Sequence, residues 1–164
     1  MKEDLVAFNA WSATYALTHI LEGRFGSDEY HLVIMDRGLF DALAWFELLR
    51  QNNDITPEER SAIQEFLLVA HWRELIDMIF LFQTDPDTSL EREHSNKLIQ
   101  EHGRTMNPDF LGDLNAAYDT TRELYADKFN RFHAINTHQA SSTQQSTAFT
   151  VAEAIVDQLS RTQV

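Results

Sequence analysis

The chain has 164 residues, of which 43% are hydrophobic and 24% are charged, a composition typical of one globular domain. Its 26 acidic and 13 basic residues give a formal net charge of −13, which disfavours a nucleic acid partner. The absence of cysteine excludes disulfides and thiolate metal sites. The sequence has no apolar run long enough for a membrane span and no secretory signal pattern, so we expect a soluble, cytoplasmic protein.

The first fifty residues predict two helices separated by a strand. Apolar side chains recur at helical spacing in residues 3–22 and again in residues 39–51. Between them, residues 31–36 (HLVIMD) form a short apolar run that ends in an acid, which is typical of a strand buried on both faces in a parallel sheet. The three tryptophans fall on apolar helical stripes and are expected in the core: Trp11, Trp45 and Trp72.

Strands and helices continue to alternate through the rest of the chain. Thr56 is expected to cap the next helix, because Pro57 follows it and Glu59 occupies the capping-box position. The remaining predicted elements are a helix at 57–76, a strand at 78–83, a helix from about 89, a helix at 110–129, a strand at 131–137 and a helix at 148–160. This alternation indicates an α/β fold with a parallel sheet, in which ligands bind beyond the carboxyl ends of the strands.

Polar residues follow the first two predicted strands at that end of the sheet. Asp36 and Arg37 follow the first strand, and Thr84 and Asp85 follow the second. An acid in this position could bind Mg²⁺ or accept a proton from a hydroxyl group, and an arginine beside it offers a two-pronged donor for phosphate. The alternative is an exposed turn with a local ion pair and no chemical role.

Residues 89–107 carry three basic side chains, Arg92, Lys97 and Arg104, in an otherwise acidic chain. A basic, flexible segment could fold over a polyphosphate and offset its charge during phosphoryl transfer. The alternative is a solvated helix face on which acidic and basic side chains pair.

The order of these elements resembles the thymidylate kinase and deoxynucleoside kinase group of P-loop phosphotransferases. The stretch VIMDRGLFDALAWFELL is similar to the strand and helix of that group in which an acid-arginine pair ends the strand. The other stretches that resemble the group are MIFLFQTDPDTSLERE (a strand and the helix into the lid), HGRTMN (the lid), DLNAAYDTTRELY (the following helix), RFHAINT (the last strand) and FTVAEAIVDQL (the terminal helix). The resemblance covers residues 5–160.

The resemblance implies a role for each matching residue. Asp36 would be the catalytic acid near the acceptor and a Mg²⁺ ion, Arg37 would share the chemistry and hold the acceptor, and Asp41 would contribute to acceptor binding. The phosphates of ATP would be bound by Arg92, Lys97 and Arg104, and its base would lie near Thr137 and His138. The acceptor would be a nucleoside or a nucleotide.

The chain departs from this group in one large respect. Five glycines are present and none fits the loop G-x-x-x-x-G-K-[ST], while Lys2, Lys97 and Lys128 precede Glu, Leu and Phe. The phosphate-binding loop and its lysine are therefore missing from this sequence. We expect an incomplete P-loop-kinase-like parallel sheet of about three strands, in a single domain portion spanning 1–164 with a lid at about 91–109.

Such a sheet would lack the strand that normally separates its two buried strands. We expect the chain to form homo-oligomers or another association that completes the sheet, or to bring 31–36 and 78–83 side by side. A kinase activity would require a P-loop supplied upstream or by a partner, and this chain alone is not expected to be active. The alternatives are a non-catalytic kinase-like binding or interaction subunit and an acidic α/β domain without phosphate chemistry.

Overall fold

The computed structural model of the protein describes residues 4–25, 32–96, 107–138 and 143–162. These residues are mostly helical and include a two-stranded parallel sheet. The elements are α1 (Leu5–Phe25), α2 (Leu39–Gln51), α3 (Pro57–Leu67), α4 (Ala70–Arg73), β1 (Ile79–Gln83), α5 (Pro86–Asn96), α6 (Pro108–Tyr125), a 3₁₀ turn (Ala126–Lys128), β2 (Phe132–Asn136) and α7 (Gln144–Thr162). The chain forms two compact units: unit 1 is Met1–Ile79 with Gly112–Arg131, and unit 2 is Phe80–Leu111 with Phe132–Val164.

Helix α2 is the centre of unit 1, because it packs against both α1 and α3. Its predicted bounds, 39–51, are confirmed. The helix ends where Asn53 adopts a left-handed conformation with φ 59°, and Asp54 N–H donates to Leu49 O at 2.9 Å. Nine α2 residues are buried, including two phenylalanines and four leucines, each large apolar side chain contributing roughly 2 kcal/mol. They are Leu39, Phe40, Ala42, Leu43, Ala44, Phe46, Glu47, Leu48 and Leu49.

A polar network inside unit 1 connects α2, α3 and α6 through the buried carboxylate of Glu47, whose side chain is only 2% exposed. Arg50 donates to one carboxylate oxygen, and Arg60 donates to the other at 3.1 Å. Gln64 donates to Leu43 O at 3.0 Å and accepts a hydrogen bond from the Tyr125 hydroxyl at 2.9 Å. The network pairs the Glu47 carboxylate and the Gln64 amide that the helix packing removes from water, whereas Arg50 Nε and Arg60 Nε are buried without a hydrogen-bond partner among the described residues.

The predicted capping box of α3 is confirmed. Thr56 Oγ1 accepts from Glu59 N–H at 3.1 Å, and the Glu59 carboxylate accepts from Thr56 N–H at 2.8 Å. The prediction that this helix continues to residue 76 is wrong. It ends at Leu67, and β-branched Val69 has the non-helical ψ of 129° before the short α4 begins.

Three later helices begin earlier than predicted, because each N-cap lies upstream of the apolar stripe. Asp85 caps α5 by accepting from Thr88 N–H at 2.9 Å, and Asn107 caps α6 by accepting from Phe110 N–H at 2.9 Å. Thr143 caps α7 through Ser146 N–H at 3.1 Å. Within the described ranges, none of the helices is long and apolar enough to cross a membrane.

The predicted strands at 78–83 and 131–137 are confirmed as β1 and β2, which pair in parallel. Ile79 N–H donates to Arg131 O at 2.9 Å at the start of the pair. At the other end, Thr137 N–H donates to Gln83 O at 2.8 Å. The carboxyl ends of both strands therefore meet at one edge, as the parallel arrangement requires.

The strand predicted at 31–36 is not formed by residues 32–35, and residue 31 lies outside the described residues. Leu32, Val33 and Ile34 are 49% to 76% exposed, so this apolar run does not lie inside a sheet. The alternative in which these residues pair with residues 78–83 is not formed in the described part of the chain, because residues 32–36 are not a strand and the sheet contains only β1 and β2. An apolar run in the sequence favours burial but does not specify the partner strand that a sheet requires.

The described part of the chain is α/β in the loose sense only, and it does not support the P-loop-kinase-like sheet of about three strands. The prediction of a buried Trp11 is also wrong, because its side chain is 61% exposed. Trp45 and Trp72 are half-buried, and the Trp72 indole N–H donates to Leu67 O at 3.1 Å.

Candidate functional site

The acid-arginine pair lies on the turn that leads into α2. Arg37 has φ 59°, in the left-handed region that a non-glycine residue enters at a cost of about 1 kcal/mol. Gly38 follows, and its carbonyl accepts from Ala42 N–H at 3.3 Å to begin the helix. Asp36 and Arg37 are both exposed, so their side chains are accessible to a ligand.

Asp41 lies in the first turn of α2 and joins that helix to α6. The Tyr118 hydroxyl donates a hydrogen bond to Asp41 Oδ1, and both side chains are half-buried. Burial raises the pKa of Asp41, against the lowering effects of the Tyr118 hydrogen bond and of the Arg37 charge. Burial also raises the pKa of Tyr118, and the nearby Asp41 charge adds to this effect.

We name Asp36, Arg37, Asp41 and Tyr118 the turn cluster, because the charges of Asp36 and Arg37 act on the hydrogen-bonded pair of Asp41 and Tyr118. The negative charge of Asp36 raises the pKa of both Asp41 and Tyr118, and the positive charge of Arg37 lowers both. The cluster therefore combines an exposed carboxylate and an exposed guanidinium with a partly buried acid-phenol pair. Such a set can bind hydroxyl groups through the acids and a phosphate through the arginine.

A second group of polar residues lies in unit 2, at the carboxyl ends of β1 and β2. Arg92 Nη2 donates to Thr137 O at 2.6 Å, and Thr137 Oγ1 donates to Gln83 O at 3.0 Å. His138 pairs with the carboxylate of Asp85. We name Asp85, Arg92, Thr137 and His138 the strand-end group.

Asp85 is held as a carboxylate by its surroundings. Its backbone hydrogen bond from Thr88 contributes most to lowering its pKa, and the pairing with His138 contributes less. The same residue therefore caps α5 and fixes the loop after β2. In this structure the strand-end group holds loops together, and its arginine donates to the protein backbone.

The structure thus places the predicted site residues in two groups. Asp36, Arg37 and Asp41 lie together in unit 1, while Arg92, Thr137 and His138 lie together in unit 2; Lys97 and Arg104 fall outside the described residues. The described ranges contain no group of three or more acidic or histidine side chains arranged to hold a metal ion. A Mg²⁺ ion often takes only one or two carboxylates together with substrate phosphates, and the turn before α2 offers one exposed carboxylate, that of Asp36.

Two features of these groups escaped the sequence analysis. Tyr118 lies on the α6 stripe beside buried Ala117 and Thr121, and its contact with Asp41 spans 77 positions of the chain. The pairing of Asp85 with His138 follows from the parallel strands, which bring the residues after each strand to one edge. Of these two contacts, only the pairing of Asp85 with His138 could have been found from the sequence, because both residues follow predicted strands whose ends meet at one edge of the sheet.

Comparison with family models, with curated proteins and with solved structures finds no match to this chain. The kinase resemblance therefore depends on the quoted stretches of sequence alone.

Proposed function

We propose that this chain is the acceptor-binding portion of a nucleoside- or nucleotide-kinase-like phosphotransferase, and that the turn cluster binds the acceptor. The observation that supports this proposal most is the convergence of Asp36, Arg37 and Asp41 with Tyr118 at the start of α2. Arg37 in a left-handed conformation supports it further, because a strained backbone at an exposed charged residue is typical of functional sites.

The four side chains have distinct roles in this proposal. Arg37 binds a phosphate or hydroxyl of the acceptor through its guanidinium, and Asp36 accepts the proton of the attacking hydroxyl. Asp41 and Tyr118 fix the acceptor's other polar groups, since their mutual hydrogen bond restrains both side chains. A Mg²⁺ ion held by Asp36 would neutralise phosphate charge during transfer.

In the strand-end group, the resemblance assigns Arg92 to the phosphates of ATP and assigns Thr137 and His138 to its base. The Arg92 guanidinium would first have to leave Thr137, to which it now donates. The sequence also lacks the loop whose backbone amides normally bind the triphosphate. We therefore expect this chain to bind ATP no better than about millimolar and to transfer no phosphate by itself.

Calorimetric titration with a nucleoside, and separately with its 5′-monophosphate, tests the acceptor site. We expect the monophosphate to bind, and Arg37→Ala to weaken its binding about tenfold or more while changing nucleoside binding little. Arg161→Ala is the matched control, because Arg161 is an exposed arginine on α7 paired with Asp157. An acceptor site at the turn cluster is excluded if the parent chain binds neither compound or if the two arginine variants behave alike.

A second candidate function is a non-catalytic binding or interaction subunit. The exposed aromatic side chains of α1 favour it, because large apolar groups on a surface mark contacts with other molecules. Adding ATP, Mg²⁺ and the acceptor to this chain and to any longer form that carries a P-loop separates the two candidates. Phosphate transfer by the longer form supports the phosphotransferase, and its absence in both forms supports the interaction subunit.

A further inference from the structure

The outer face of α1 is unusual for a helix surface in so charged a protein. Residues 5–21 contain no Asp, Glu, Lys or Arg, although 24% of the whole chain is charged. The most exposed large side chains of this helix are Phe8, Trp11 and Tyr15, at 59%, 61% and 54% exposure. A helix face that only meets water normally carries charged residues, so this face is built for a neutral, apolar contact.

The aromatic side chains form a continuous ridge along α1. The rings of Phe8 and Trp11 lie 6.1 Å apart, those of Trp11 and Tyr15 stack at 5.5 Å, and those of Tyr15 and His19 meet edge to face at 4.3 Å. The ridge from Phe8 to His19 is roughly 16 Å long at the helical rise of about 1.5 Å per residue.

A groove of small side chains runs beside this ridge. Ala7, Ala10, Thr14 and Thr18 each precede a ridge residue by one position, and all four are exposed. The threonine hydroxyls donate to main-chain carbonyls one turn back, Thr14 to Ala10 O at 3.0 Å and Thr18 to Thr14 O at 2.9 Å. The groove can therefore lose its water without leaving these hydroxyls unpaired.

We propose that α1 is a dimerisation helix whose occupant is the α1 of a second copy, packed antiparallel about a two-fold axis. A ridge and a groove of equal spacing on one helix are complementary to themselves, so the ridge of each copy fills the groove of the other. Two chains of charge −13 repel each other, and residues 5–21 of α1 add no Asp or Glu to that repulsion, whereas the Glu22 carboxylate lies 3.0 Å from His19 Nδ1 at the end of the ridge. This contact is independent of the turn cluster and of sheet completion.

The exposed aromatic area is small, so the dimer that we propose is weak and forms only at high protein concentration. Three half-exposed aromatic side chains supply roughly 300 Å² per copy, against about 800 Å² per partner in a standard interface. Val33 extends the patch at the far end of α1, where its Cγ2 lies 4.0 Å from the position a side chain would take at Gly23. Because an interface of this size lies at the weak end of specific contacts, we expect a dissociation constant no tighter than roughly micromolar.

Sedimentation analysis of the full chain between about 1 and 200 μM tests the proposal, across the expected dissociation constant. The parent should pass from monomer to dimer, and Trp11→Glu should remain monomeric at every concentration while keeping its helical circular dichroism. Phe149→Glu is the matched control, because Phe149 is an equally exposed aromatic residue on α7. A parent that stays monomeric, a dimer that survives Trp11→Glu, or a dimer that is lost in Phe149→Glu would each overturn the proposal.

Single cysteines test the antiparallel arrangement, because the natural chain has none. Thr14 lies at the middle of the ridge, so Thr14→Cys should be joined rapidly to its copy by a short thiol-reactive crosslinker. Ala7→Cys lies near one end and should be joined only slowly, since an antiparallel axis separates the two ends. Equal rates at both positions would indicate parallel helices, and rates no higher than that of Thr150→Cys on α7 would exclude the α1 contact.

Discussion

Arg37 and Asn53 flank α2 with the same backbone angle, φ 59°, but they differ in how well they tolerate it. Asparagine adopts the left-handed conformation readily, whereas arginine does so under strain. We predict that Arg37→Gly raises the free energy of unfolding by about 0.5–1 kcal/mol, because glycine relieves that strain. Urea denaturation measures the change, and Arg37→Ala should show no gain because alanine keeps the strained angle. A loss of stability in the glycine variant would mean that the arginine side chain itself stabilises the fold.

Asp41 should make the stability of the protein depend on pH in a predictable direction. Its folded-state pKa is raised by burial, so its contribution is fully present below its unfolded pKa of about 3.9 and is lost as pH rises through the folded pKa. We predict that Asp41→Asn, which keeps an oxygen to accept from Tyr118, gains stability relative to the parent as pH rises from about 4 to 7. Denaturation at a series of pH values measures the difference, with exposed Asp113→Asn as the control. A difference that is constant across this range would contradict the prediction.

At the scale of the elements, the buried carboxylate of Glu47 joins α2 to α3. Arg50 and Arg60 both pair with it, and removing it would leave Arg60, whose side chain is 21% exposed, with only the amide oxygen of Gln64 to accept its hydrogen bond. We predict that Glu47→Ala lowers the free energy of unfolding by about 3 kcal/mol, because it breaks a buried, charge-assisted network. Glu65→Ala, an exposed acid on α3, should change it by less than about 0.5 kcal/mol. Comparable losses in both variants would show that the network is not what holds the helices together.

The elements that the sequence predicted well are those whose signals are local. The bounds of α2 and the capping box at Thr56 depend on neighbouring residues, and β1 and β2 were located within two residues. Residues 32–35 and Trp11 were predicted wrongly because an apolar pattern shows that a surface needs covering but not what covers it. The candidate site follows the same rule: Asp36, Arg37 and Asp41 lie within six positions, whereas Tyr118 reaches them only through the packing of α6.

At the scale of the whole molecule, the charge of −13 opposes the compact state. Salt screens this repulsion, since the Debye length falls from about 30 Å at 0.01 M to about 3 Å at 1 M. We predict that the melting temperature rises by several degrees between 0.01 and 0.5 M NaCl at pH 7, as measured by calorimetry at a fixed protein concentration. The gain should disappear near the sequence isoelectric point of 4.8, and a rise of equal size at that pH would assign it to something other than charge screening.

Arg37 and Asn53, the two residues with left-handed backbone angles beside α2, should differ in how they vary among related sequences. Position 53 carries asparagine, which tolerates this backbone angle well. Position 37 carries arginine, which tolerates it poorly, so selection for stability alone would not favour arginine there. A lineage that loses the proposed acceptor should therefore drift to glycine or asparagine at position 37 and leave position 53 unchanged. Orthologues that keep arginine at 37 while the rest of the turn varies would support a ligand at Arg37, as we propose.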